Sequence, residues 1–134
     1  MKITQAFSFE AAHRLPNVVS THRCYRMHGH SYGVELELEG EIDPVTGFVV
    51  DFFDIEKAFA PLLATLDHQC LNEVKGLENP TAENIAVWIW ERVKMVLPQL
   101  SLVTVYETKN CWVEYDGPLV TRGTASTGRP NGMI

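Results

Sequence analysis

Two stretches of this chain alternate apolar and polar side chains over too long a run to be anything but strands. In the first, Ile3, Gln5, Phe7, Phe9, Ala11 and His13 fall on one face and Lys2, Thr4, Ala6, Ser8 and Glu10 on the other. In the second, His28, His30, Tyr32, Val34, Leu36 and Leu38 share a face, opposite Glu35, Glu37 and Glu39. A sheet with one apolar face needs a covering layer, and two helical patterns supply it. Ile55, Phe59, Leu62, Leu63 and Leu66 recur at helical spacing from Asp51 or Asp54, in a segment interrupted by Pro61, a residue that kinks helices. A second helix opens at Thr81 as N-cap and runs to about Leu97, with Ile85, Trp88, Ile89, Val93 and Val96 on its buried stripe.

The remaining segments complete the layout. Asp43-Pro44-Val45-Thr46-Gly47 reads as a turn, with Phe48-Val49-Val50 as the returning strand of a hairpin. Leu102 to Tyr115 reads as one long strand or hairpin, in which Val103, Val105 and Glu107 share a face. The order β-β-β-α-α-β(β) predicts an α+β fold, an antiparallel sheet with two helices packed on one face. The whole is a single domain over residues 1–117, followed by a polar, Gly/Pro-rich tail over 118–134 that alone reads as disordered.

Composition narrows the setting. An odd cysteine count, three, argues against a disulfide framework and for a reducing compartment. With no apolar run longer than Ile85–Trp90 and no apolar signal-like segment after Met1, the expected location is cytoplasmic. A net charge of −6 disfavours nucleic acid or an anionic membrane as partner. Yet no Asp or Glu occurs between Ala11 and Val34, a window holding Arg14, Arg23, Arg26 and four of the five histidines. That window suits an anionic small molecule; a solvated loop that happens to lack acids is the plainer alternative.

His28-Gly29-His30 is the sharpest chemical feature. Histidines at i and i+2 of a strand point the same way, and antiparallel pairing can bring His13 to join them. Three neutral imidazoles suit Zn²⁺ and leave one coordination position open. The alternative is that each is simply a hydrogen-bonded, partly buried side chain. Cys24, four residues before His28, is a base or nucleophile if its thiolate is stabilised, or a fourth ligand that closes a structural zinc site. Asp67-His68 is a candidate acid–base pair whose side chains can meet only through a loop conformation. Glu107, on an apolar strand face, needs a donor: a basic side chain or the paired N–H edge of a ligand. Cys70, Cys111, Trp88 and Trp90 read as packing or interface residues.

Taken together these pieces resemble a family. Phe9-Glu10-Ala11-Ala12-His13 and Cys24-Tyr25-Arg26-Met27-His28-Gly29-His30 resemble the pterin synthases related to 6-pyruvoyltetrahydropterin synthase. Asp51-Phe52, Leu66-Asp67-His68-Gln69-Cys70-Leu71-Asn72, Glu78-Asn79-Pro80-Thr81-Ala82-Glu83-Asn84 and Glu107-Thr108 extend the likeness, in collinear order, to about Tyr115. The three-residue gap between Cys24 and His28 is similar to that of the bacterial 6-carboxytetrahydropterin synthases of queuosine biosynthesis. The tail after Gly117 departs from the shorter members and is given no family role.

The resemblance implies the tunnelling fold, assembled as a β-barrel of subunits, commonly a homohexamer built as a dimer of trimers. It implies Zn²⁺ on His13, His28 and His30, and Cys24 as general base. It implies Asp67 with His68 as proton-relay partners across a subunit interface, and Glu107, with Thr108, holding the pterin ring. The implied substrate is 7,8-dihydroneopterin triphosphate, for whose phosphates Arg14, Arg23, Arg26 and His22 are candidates. The implied reaction yields 6-carboxy-5,6,7,8-tetrahydropterin, acetaldehyde and triphosphate. Triphosphate elimination without carbon–carbon cleavage is the neighbouring alternative, and a non-catalytic zinc- or pterin-binding protein is the alternative of another class.

Overall fold

The computed structural model describes residues 1–119; the tail expected over 118–134 lies outside the described residues from 120 on. Strands β1 (Lys2–His13) and β2 (His28–Glu39) pair antiparallel along their whole length, from Lys2 opposite Glu39 to His13 opposite His28. Helix α1 (Phe52–Leu66), a two-residue β3 (Gln69–Cys70), helix α2 (Ala82–Val96), β4 (Leu100–Thr108) and β5 (Cys111–Tyr115) follow. The sheet order is β3-β1-β2-β4-β5, antiparallel except for the short β1–β3 contact. The long C-terminal strand is therefore a hairpin, turned at Lys109-Asn110.

Both helices cover the face that carries Phe9, Ala11, Tyr32, Val34, Leu36, Leu38, Val103 and Val105, in one continuous core. Phe59 of α1 meets Phe7 of β1 with ring centroids 4.4 Å apart, and Trp90 of α2 meets Tyr115 of β5 edge-on at 5.6 Å. The α1 stripe is as expected, with Ile55, Phe59, Leu62 and Leu66 buried, and Asp51 caps the first turn by accepting the Phe53 N–H. Pro61 does not end the helix. It sits on the exposed side, as does Lys57 one turn before it, whose carbonyl a proline cannot serve as helical donor. In α2 the cap is Thr81, as expected, but Val96 is exposed while Ala82, Ala86 and Trp90 are buried as well.

The expected hairpin strand Phe48-Val49-Val50 does not form. Both edges of β2 are already taken, by β1 and β4, so a returning strand has no place to pair. The turn itself is present and closes on itself. The Asp43 carboxylate accepts the Val45 and Thr46 N–H groups, Asp43 N–H donates to the Phe48 carbonyl, and Gly47 takes φ 79°. None of the described helices is long and apolar enough to cross a membrane.

Candidate active site

The β1–β2 register places His13 directly opposite His28, with His30 opposite Ala11 on the same pair of strand ends. One ligand atom from each of His13, His28 and His30 lies within 4.8 Å of the others, the one such cluster of His, Cys, Asp or Glu among the described residues. His13 is fully buried. Its Nδ1 lies 2.8 Å from the Pro80 carbonyl, and Nδ1 of His28 lies 2.7 Å from the Arg26 carbonyl. A carbonyl only accepts, so each Nδ1 carries the proton and donates it. In the neutral rings both Nε2 atoms are then bare lone pairs, and they face each other at 3.0 Å. Nε2 of His30 is buried with no hydrogen-bond partner.

Opposed lone pairs and an orphaned nitrogen at one point are costly in a protein interior and are satisfied together by a cation. The donor set, all imidazole with the outer N–H groups of His13 and His28 tied to backbone carbonyls, fits Zn²⁺. Electrostatics favours the neutral form at His13 and His30. Burial lowers the His13 pKa, and His28 and His30 reinforce the shift, against the opposing pull of the Pro80 hydrogen bond and Glu107. Burial likewise lowers His30, with Glu107 opposing and His28 reinforcing.

Glu107 stands at the edge of this cluster, Oε2 3.9 Å from Nε2 of His13, on the face it shares with Val103 and Val105. It lines a pocket of about 350 Å³ with Leu15, Thr81, Glu83, Cys111 and Trp112. His30 opens instead on a larger cleft of about 580 Å³, shared with Glu10, Ser31, His68 and Cys70. Asp67 and His68 do meet. His68 takes φ 58°, and this left-handed backbone brings its Nδ1 to 3.0 Å from Asp67 Oδ1. The same Oδ1 accepts the Glu10 N–H at 2.9 Å, and that bond, then His68, lowers the Asp67 pKa. His68 N–H donates to the Glu10 carbonyl, so the pair is fastened to β1 just before the metal-site end.

The other expected residues are placed as follows. Cys24 sits half-buried in a short 3-10 turn, Arg23–Tyr25, and is not among the clustered ligand atoms. Arg14 donates from Nε to the Tyr25 carbonyl at 3.1 Å and stacks over the Tyr25 ring at 4.5 Å. His22 accepts the Cys24 N–H. Arg23 and Arg26 are exposed. Thr108 accepts the Asn110 N–H with its hydroxyl and lines a separate pocket with Tyr106 and Lys109, away from the one that holds Glu107.

Three contributors escape a reading of the sequence. Pro80 orients His13 through its carbonyl, and the buried Tyr32 hydroxyl lies 3.1 Å from the same Nδ1. Asn72 accepts the Arg14 N–H and donates to the Arg14 carbonyl, both at 2.9 Å, splinting the segment after His13. The motifs around Pro80 and Asn72 were visible, but which strand end they would reach was not.

Known proteins similar to this chain are pterin enzymes. The chain is 38% identical over 122 residues to a Synechocystis 6-carboxy-5,6,7,8-tetrahydropterin synthase, covering 87% of this chain and 93% of that one. It is 36% identical over 118 residues to a dihydroneopterin monophosphate aldolase of Pyrococcus furiosus, covering 86% and 96%. The Caenorhabditis elegans 6-pyruvoyl tetrahydropterin synthase structure superimposes with a TM-score of 0.82 at 31% identity, over 88% of this chain and 96% of that one. Residues 2–118 match the family described as 6-pyruvoyl tetrahydropterin synthase, and the chain belongs to that family.

Proposed function

We propose that this protein is a zinc-dependent lyase that converts 7,8-dihydroneopterin triphosphate and water to 6-carboxy-5,6,7,8-tetrahydropterin, acetaldehyde and triphosphate, in queuosine (7-deazapurine) biosynthesis in the cytoplasm. The observation that carries it is the three-imidazole cluster with the Glu107 carboxylate at its edge. His13, His28 and His30 would hold the zinc, which when bound polarises oxygen on the substrate side chain and acidifies the adjacent C–H. Glu107 accepts hydrogen bonds from the amino and ring N–H groups of the pterin and sets its register. Cys24 removes the side-chain proton as general base. His68, oriented by Asp67, returns a proton to the ring system, so that the side chain is oxidised as the ring is reduced. The side-chain carbonyl so formed permits loss of triphosphate and, with water, carbon–carbon cleavage that leaves the carboxylate. Arg23 and Arg26, exposed in the acid-free window, are the candidates for the phosphates.

A cluster of three histidine ligands without a thiol is what an open, catalytic metal site needs, and it disfavours the reading of Cys24 as a closing structural ligand. The sister activity, giving the 6-pyruvoyl product without cleavage, is supported by the likeness to the nematode enzyme. Assembly as a homohexamer of two trimers, with active sites at subunit interfaces, is supported by two open sheet edges. Among the described residues, β1 is covered on its outer side only near its C-terminal end, by β3 and the Asp67-His68 corner, and β5 ends the sheet. The test is incubation of the zinc-loaded protein with 7,8-dihydroneopterin triphosphate and mass spectrometry of the products with an aldehyde trap. Acetaldehyde with carboxytetrahydropterin is the expected result. A pyruvoyl product without acetaldehyde assigns the sister activity, and no turnover by folded, zinc-loaded protein overturns the enzymatic reading.

A further inference from the structure

The turn that carries Cys24 is capped from within by His22 and bound through Arg14 and Leu15 to the strand end that carries His13. Cys24 N–H donates to Nδ1 of His22 at 3.0 Å. A backbone N–H can only donate, so this ring nitrogen is an unprotonated lone pair committed to the turn. His22 is thus the N-cap of the Arg23–Tyr25 turn, doing what Ser, Asp or Asn ordinarily does. On the other side the Cys24 carbonyl accepts the Leu15 N–H at 2.8 Å, and the Tyr25 carbonyl accepts Nε of Arg14 at 3.1 Å. The Arg14 guanidinium also lies over the Tyr25 ring at 4.5 Å. Arg14 is itself held by Asn72 through both its N–H and its carbonyl, and it follows His13 directly. Cys24 is therefore referenced to His13 by a short chain of directional bonds.

We infer that His22 and Arg14 are positioning residues for Cys24, holding the thiol's backbone in register with the metal site, and are not ligands of the substrate phosphates. The inference rests on the proposed role of Cys24 as base, and it withdraws two of the four side chains that charge alone would give to the triphosphate. His22 is exposed and Arg14 half-buried, yet the atoms of each that face the turn are already committed: Arg14 gives Nε and its planar face to Tyr25, and His22 gives Nδ1 to Cys24.

Three variants separate the roles: His22→Ala removes the cap, His22→Asn restores an acceptor without an imidazole, and Arg14→Lys keeps the charge but loses the planar fork. Two readouts are needed on zinc-loaded protein, amide hydrogen exchange of the peptide containing Cys24 and steady-state kinetics with 7,8-dihydroneopterin triphosphate. The expected result is faster exchange and a kcat lower by about tenfold or more in His22→Ala and Arg14→Lys, at unchanged KM, with His22→Asn near wild type in both. A raised KM at unchanged kcat makes the two residues phosphate ligands and overturns the inference. Faster exchange without a change in kcat overturns it equally, because the clamp then has no bearing on the chemistry. Absence of turnover in the wild-type protein would overturn the functional reading and the inference with it, whereas an unchanged kcat in active variants overturns the inference alone.

Discussion

A histidine that donates Nδ1–H to a carbonyl has only one nitrogen left to offer, and at His13 and His28 that nitrogen faces its counterpart at 3.0 Å. The role of each residue follows from such commitments, and so do the mutational effects. His28→Ala removes one of three donors and should abolish stoichiometric zinc binding, as measured by metal analysis after dialysis; unchanged zinc would remove His28 from the ligand set. Cys24→Ala should keep zinc and fold but lose turnover by about 10²- to 10⁴-fold, the usual contribution of a general base. Survival of activity would mean that another group takes the proton. At this scale the sequence was most informative where spacing alone fixes direction, as in His28-Gly29-His30. It was least informative where a residue's partner is far along the chain. Pro80 is 67 positions from His13 and Asn72 is 58 from Arg14, so no local pattern announces either contact. Arg14 and His22 were visible as charge, but their use as clamps depends on where the 22–25 turn lands.

The elements divide in the same way. β1, β2 and α2 were legible nearly to the residue because each carries a long period and, for α2, a capping threonine. Phe48-Val49-Val50 misleads because a three-residue apolar run looks the same whether or not a strand edge is free to receive it. The two-residue β3 is too short to leave a pattern, yet it continues along β1 the attachment that the Asp67-His68 corner makes at Glu10. At the far end of the sheet Gly117 takes φ 106°, and a Cβ there would lie 2.9 Å from the Trp90 ring. Gly117→Ala should therefore destabilise the α2–β5 packing by about 1–3 kcal/mol, measured by urea unfolding. A loss below a few tenths of a kcal/mol would show that this close approach is not maintained in solution.

For the molecule as a whole, the histidine cluster should make stability depend on pH. The pKa values of His13 and His30 are lowered in the folded chain, so on acidification the unfolded state takes up protons first. Metal-free protein should be most stable above about pH 6.5 and lose stability as pH falls below it, in thermal melts across that range. Asp67, also lowered, adds stability that is present above its unfolded value and is lost only in a separate window, below about pH 4. A melting temperature that is flat from pH 7.5 to about 5 would contradict the buried, neutral histidines. With the proposed zinc bound, three imidazoles and no thiolate should form one open site. X-ray absorption at the zinc edge of the loaded wild-type protein tests it most directly. Three nitrogen scatterers at about 2.0–2.1 Å with an oxygen in the fourth position are expected, whereas a sulfur scatterer at about 2.3 Å would make Cys24 or another thiol a ligand and the site closed.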